Sequence, residues 1–225
     1  MANCQVNTIT LQSMNYGETL VYWYLRLNGF FPLNNFVLHQ HEETIDDSAD
    51  CDVLAVRHPH AYEIIGGQKA DWDPNLSEQG INLCDRITGI IVEVKTGQDA
   101  TKILKNTINS FSSDRIRYAV QRLGFWPQED TPVIEDTLNT RVSYQDDTFQ
   151  IFKLLVSDRL PRSKEPERWK QLSLSNVENF IVERLKKHCD KKYADRLRFP
   201  SDLMQYMIWK TTTDQNGRTP NSLGV

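Results

Sequence analysis

The segment Val92-Glu93-Val94-Lys95 ends a run, ITGIIVEVKTG, that is rich in β-branched residues and reads as a strand. Side chains two apart on a strand face the same way. Glu93 and Lys95 therefore project together, while Val92 and Val94 pack on the other side. Opposite charges at the end of an otherwise buried strand are costly unless they pair or do chemistry. A carboxylate can hold a hard divalent cation. The neighbouring lysine can orient or deprotonate a water, or stabilise a developing oxyanion. An E-x-K triplet alone is not diagnostic, because a surface ion pair on an edge strand looks the same.

Two further carboxylates give the triplet a context. Asp52 opens CDVLAVR, which reads as the preceding strand. Two carboxylates from adjacent strands plus a lysine can make one cation site. Glu18 sits inside YGETLVYWYLRLNGF, a helix whose apolar stripe is wide enough to be largely buried. A charge there needs a partner, and Arg26 or Arg57 would serve as well as a metal. Asp71 and Asp73, in DWDPN, are rivals to Asp52 but lack a following apolar strand. Asp85 is too close to Glu93 to occupy a separate strand. His39, His41, His58 and His60 form two H-x-H pairs flanking strands. They are open to three readings: a zinc site, the lining of a cleft, or plain exposed histidines. No Gly-rich phosphate loop, G-x-S-x-G elbow or C-x-x-C pair is present.

The elements that must position these residues follow from periodicity. A helix is predicted from about Tyr16 to Asn28, closed by Asn28-Gly29. Strands are predicted at Phe36–Leu38, over DVLAVR and over ITGIIVEVK, with a polar, loop-like stretch and one short helix between His58 and Arg86. TGQD offers a turn and cap before a helix over ATKILKNTINSF. DRIRYAVQRLGF is a second helix, ended at Gly124. Residues 127–140 read as loop. RVSYQ and TFQIFKLLVSD read as a hairpin around Asp146-Asp147. Residues 158–170 read as a basic, proline-bearing connection. Ser175 with Glu178 fits a capping box for a helix carrying Val177, Phe180, Ile181, Leu185 and His188. A last helix is predicted from Ser201 to Trp209, then a disordered tail. This is an α/β arrangement with a small mixed sheet.

In this order, Glu18, Asp52, Glu93 and Lys95 resemble the PD-(D/E)XK nuclease superfamily, the restriction-endonuclease-like fold, over roughly residues 14–157. Cys51 stands where the family name has proline, and the long gap before Glu93 requires an insertion at about 58–88. The resemblance implies a nuclease core over 1–157; charge and polarity add a basic helical extension over 158–210 and a disordered tail over 211–225. It implies Mg2+, with Mn2+ as a substitute, held by Asp52, Glu93 and the Val94 carbonyl. Glu18 would serve a second ion or its water, and Lys95 would position the attacking water. Gln98 would orient substrate, or else cap the following helix. The implied activity is hydrolysis of DNA in repair, recombination or defence. The alternative is a catalytically silent nucleic-acid-binding or protein-interaction module on the same fold.

Composition bounds these readings. The 225 residues are 39% apolar and 25% charged, as in soluble globular proteins. No apolar run approaches the roughly 18–20 residues of a membrane span. MANCQVNTIT has no secretion signal, so the expectation is a cytoplasmic protein with reduced cysteines. The net charge of −4 argues against a nucleic-acid binder, but residues 1–150 carry −10 and residues 151–225 carry +6. Arg159, Arg162, Lys164, Arg168, Lys170, Arg184, Lys186, Lys187, Lys191, Lys192, Arg196 and Arg198 are the candidates for phosphate contacts. The alternative for them is a solvated helix face. A homodimer and a protein partner are both compatible with the sequence.

Overall fold

The computed structural model describes residues 15–38, 49–63, 67–97, 113–159, 168–188 and 201–216. The elements are α1 (Tyr16–Leu27), β1 (Phe31–Leu38), β2 (Ala49–Arg57), α2 (Pro74–Glu78), β3 (Ile87–Lys95), α3 (Ser113–Leu123), α4 (Thr131–Thr140), β4 (Ser143–Gln145), β5 (Phe149–Ser157), β6 (Lys170–Ser173), α5 (Leu174–Lys187) and α6 (Asp202–Asn216). The sheet runs β1-β2-β3-β5, and both β4 and β6 pair with β5. β4 lies along residues 150–152 of β5, and β6 along its last four residues. Pairings β1–β2, β2–β3 and β4–β5 are antiparallel, whereas β3–β5 and β5–β6 are parallel. The molecule is thus α/β with a small mixed sheet.

Helices cover both faces, which is why β3 reads as a nearly unbroken apolar run. On one face α1, α2, α5 and α6 bring Leu20, Tyr24, Leu76, Val177, Ile181 and Met204 onto Val53, Ile90, Val92, Leu154 and Val156. On the other, α3 and α4 bring Ile116, Ala119, Val120, Ile134 and Leu138 onto Cys51, Leu54, Ile91 and Ile151. β6, α5 and α6 contribute to the same apolar cluster as α1. Among the described residues no helix is long and apolar enough to cross a membrane.

Several elements differ from expectation. Residues 131–140 are helical, not loop; only Ile134 and Leu138 give the helix an apolar stripe, too sparse to show among acids, threonines and an asparagine. Strand β1 begins at Phe31, five residues early. Its Pro32 and two asparagines are poor strand formers, tolerated because β1 is an edge strand. Ser173, not Ser175, caps α5: its hydroxyl accepts the Asn176 N–H at 3.0 Å. α6 continues seven residues past Trp209, to Asn216. The predicted helix over ATKILKNTINSF and the tail beyond 216 lie outside the described residues.

The stretch after β2 is tied to the core through Arg57, which is wholly buried. Its guanidinium donates to the carbonyls of Asn28 (2.9 Å), His58 (3.1 Å), Ala61 (3.1 Å) and Leu83, and lies 4.1 Å over the Trp72 ring. Five donors on one rigid fork can satisfy several loop carbonyls at once. These bonds tie the described loop carbonyls to the core.

Candidate active site

The β2–β3 ladder stops at Val53–Val92. One more step would set Asp52 opposite Glu93, and like charges directly opposed destabilise a sheet. The strands part instead. The Asp52 carboxylate accepts the Val94 N–H at 2.6 Å, replacing the lost ladder bond. Cys51 and Val53 pack on opposite faces although they are two residues apart, so β2 rotates at Asp52. The wholly buried Cys51 thiol donates to the carbonyls of Val53 (3.4 Å) and Val92 (3.9 Å).

Strand alternation puts Glu93 and Lys95 on one face, and the Lys95 ammonium bridges two carboxylates. It lies 2.8 Å from Glu93 Oε2 and 3.2 Å from Asp52 Oδ2. Glu93 is 2% exposed. Burial, and next the Asp52 charge, push its carboxyl up to about 7, against the opposing pull of Lys95 and Arg115. Burial alone would lower Lys95, but Glu93 and Asp52 outweigh it and raise its pKa. Glu93 Oε1 is buried with no hydrogen-bond partner among the described residues. An orphaned carboxylate oxygen in such a place is expensive.

Glu18 enters from α1. An added Cβ at Gly17 would come within 2.6 Å of Thr96 Cγ2 and 3.1 Å of Val94 Cγ1. The first turn of α1 therefore lies directly on the end of β3. Glu18 forms a capping box with Asn15: the Asn15 side chain accepts the Glu18 N–H at 3.0 Å, and the Glu18 carboxylate accepts the Asn15 N–H at 3.2 Å and its side-chain amide. Neither Arg26 nor Arg57 is its partner. Burial first, and Asp52 next, raise its pKa; Asn15 and Lys95 pull against them. Glu18 thus shares the electrostatic field of the site without joining its contacts. Among the described residues no group of three or more His, Cys, Asp or Glu side chains gathers tightly enough to hold an ion. The Lys95 ammonium itself occupies the gap between Asp52 and Glu93.

The other candidates separate from this cluster. Asp71 is buried against Lys187 (2.8 Å) and His188 (2.9 Å). Asp73 caps α2 and accepts the Tyr24 hydroxyl at 2.7 Å. Both serve these structural contacts, and neither pairs with Glu93 or Lys95 among the described residues. His58 and His60 are exposed just past the far end of β2, roughly 20 Å from Asp52 at strand rise, and do not line the carboxylate cluster. His39, His41 and Gln98 lie outside the described residues. The structure shows the Val94 N–H at the site, as the donor to Asp52.

The basic residues do not form one patch. Arg184 is buried and donates to the carbonyls of Leu27 (3.1 Å) and Asp71, which corrects its reading as a phosphate contact. Lys187 is committed to Asp71, and Lys186 pairs with Glu183 at 3.0 Å. Both lie at the end of α5, roughly 20 Å along the helix from its start beside β5. Arg168 is exposed and Lys170 half-buried on β6. Arg162, Lys164, Lys191, Lys192, Arg196 and Arg198 lie outside the described residues. Arg159 is exposed just past β5.

Two cations were not anticipated. Arg115, in the first turn of α3, acts electrostatically on Glu93; the adjacent Ile116 is packed with Cys51. Lys153 is 2% exposed on the Glu93 face of β5, donates to the Leu138 carbonyl, and is lowered to about 8 by burial and then by Arg168. Neither position carries a sequence signal, because helix and strand packing deliver them. Comparison with protein-family models, with curated proteins and with solved structures finds no match for this chain.

Proposed function

We propose that the chain is a metal-dependent nuclease with a restriction-endonuclease-like core that hydrolyses phosphodiester bonds in DNA. The carrying observation is the buried Glu93 Oε1 that no donor among the described residues satisfies, beside Asp52 and Lys95 at a break in the sheet. Supporting it is the order of elements: a helix with Glu18, antiparallel strands with Asp52 and Glu93-x-Lys95, then a parallel return strand.

Asp52 and Glu93 would hold Mg2+ or Mn2+, with Glu18 adding negative charge from the α1 cap. The ion would supply charge neutralisation at the attacked phosphate. The chain's own residues do the rest. Lys95, moved off the carboxylates, presents its ammonium to the phosphate and the attacking water. The Val94 N–H fixes the Asp52 carboxylate in its rotamer. The α1 cap holds Glu18 where it feels the charges of Asp52 and Lys95.

The test is cleavage of plasmid, linear and branched DNA with Mg2+ or Mn2+, alongside calorimetric titration of the metal. Wild type cleaves, and Lys95→Ala and Glu93→Gln lose at least a hundredfold. Equal activity in wild type and Lys95→Ala sinks the assignment. A silent binding module is favoured by two observations: Lys95 fills the gap, and Glu18 is engaged by Asn15. Such a module retards DNA without metal and cleaves nothing.

A further inference from the structure

The parallel pair β3–β5 brings a second cation to the same end of the sheet. In the register, Lys95 faces Ser157, and Arg159 follows two residues on. One strand spacing plus two residues of chain keeps the Cα atoms of Lys95 and Arg159 within roughly 12 Å of each other. Ligand sites in sheets of parallel strands gather at such carboxyl ends.

The turn that carries Arg159 is pinned by its neighbours. The Arg159 N–H donates to Ser157 Oγ at 3.2 Å, and Ser157 Oγ lies 3.3 Å from the Arg159 carbonyl. Asp158, the nearest acid in the chain, is turned back across the strands: its Oδ2 accepts the Gly97 N–H at 3.4 Å, and its Oδ1 lies 3.5 Å from Ser157 Oγ. The backbone is fixed while the guanidinium stays exposed, and among the described residues no carboxylate pairs with it. Lys95 beside it is neutralised by Asp52 and Glu93. The α5 helix also begins at this end, with no acidic residue in its first turn.

The geometry points to Arg159 as a positioning residue that grips a DNA phosphate next to the scissile one, so that the backbone crosses the ends of β3 and β5. This rests on the nuclease reading of the same site, but binding tests it separately. The guanidinium is a bidentate phosphate fork, and its contact is independent of sequence.

The experiment is fluorescence anisotropy of a labelled 20-base-pair duplex, without metal, across a salt series. Arg159→Ala is expected to bind about tenfold more weakly, with the slope of log affinity against log salt reduced by about one. Arg159→Lys falls between. A neutral methylphosphonate walked along the duplex should weaken wild type at one position, and Arg159→Ala should ignore that position. Equal affinity and slope in wild type and Arg159→Ala overturns the proposal, as does equal methylphosphonate sensitivity or no DNA binding by wild type. A protein that binds through Arg159 but never cleaves keeps the phosphate contact and removes the nuclease reading. One that cleaves through Lys95 but ignores Arg159→Ala does the opposite.

Discussion

Glu93→Gln should make the protein more stable at alkaline pH, although it removes a charge from an ion pair. Glu93 is 2% exposed and is lifted from an ordinary value of 4.5 to about 7. Below pH 4.5 both folded and unfolded chains keep its proton, and stability is unaffected. Between 4.5 and 7 the unfolded chain gives the proton up and the folded one retains it. The native state then binds more protons, so stability falls as pH rises. Above 7 the loss is complete, on the order of 3 kcal/mol. Glutamine keeps the shape and cannot ionise. It leaves Lys95 its bond to Asp52. Urea unfolding at pH 4.5 and pH 8 should show wild type losing this increment and Glu93→Gln keeping it. At pH 8 the variant should melt about 5–10 °C higher. A variant that is less stable than wild type at pH 8, or falls with pH just as steeply, refutes the reasoning. Added Mg2+ should narrow the gap, because only wild type has the carboxylate to hold it.

Three further outcomes follow from neighbouring contacts. Lys95→Met leaves two carboxylates facing each other, and should cost about 2–4 kcal/mol at pH 8 but about 1 kcal/mol at pH 5, where Glu93 is protonated; urea unfolding reads both. Gly17→Ala drives a methyl to 2.6 Å from Thr96, and should lower stability by about 1–2 kcal/mol and displace Glu18, read by melting and by metal affinity. Burial pushes Asp71 up, but its bonds to Lys187 and His188 win and hold it well below its ordinary 3.8. Its contribution is present above that value and is lost as pH falls; Asp71→Asn should cost about 2 kcal/mol at pH 7 and flatten acid unfolding below pH 4.

The site was most legible where local periodicity decides it. Alternation along ITGIIVEVK puts Glu93 beside Lys95, and the structure holds them 2.8 Å apart. The Asn15-x-x-Glu18 box is equally readable, and it gives Glu18 a local partner in place of a distant one. Arg184 was misread because a charge on a basic helix looks solvated. Its carbonyl partners, Leu27 and Asp71, come from more than a hundred residues away. Arg115 and Lys153 were invisible for the same reason. β6 was hidden just after a basic connection, since four residues such as KQLS carry no pattern until β5 offers an edge.

Cys51 gives the break in the sheet a clock. Its thiol is sealed between β2 and β3 beside Asp52 and Glu93, and burial, followed by those two charges, pushes its pKa well above the usual thiol range. A thiol reagent can reach it only when the strands separate further. Half-buried Cys84, away from the break, reacts on its own schedule. The rate of labelling at Cys51, followed on its own peptide, therefore times the opening of that break. A ligand that clamps Asp52 to Glu93 should stop that clock.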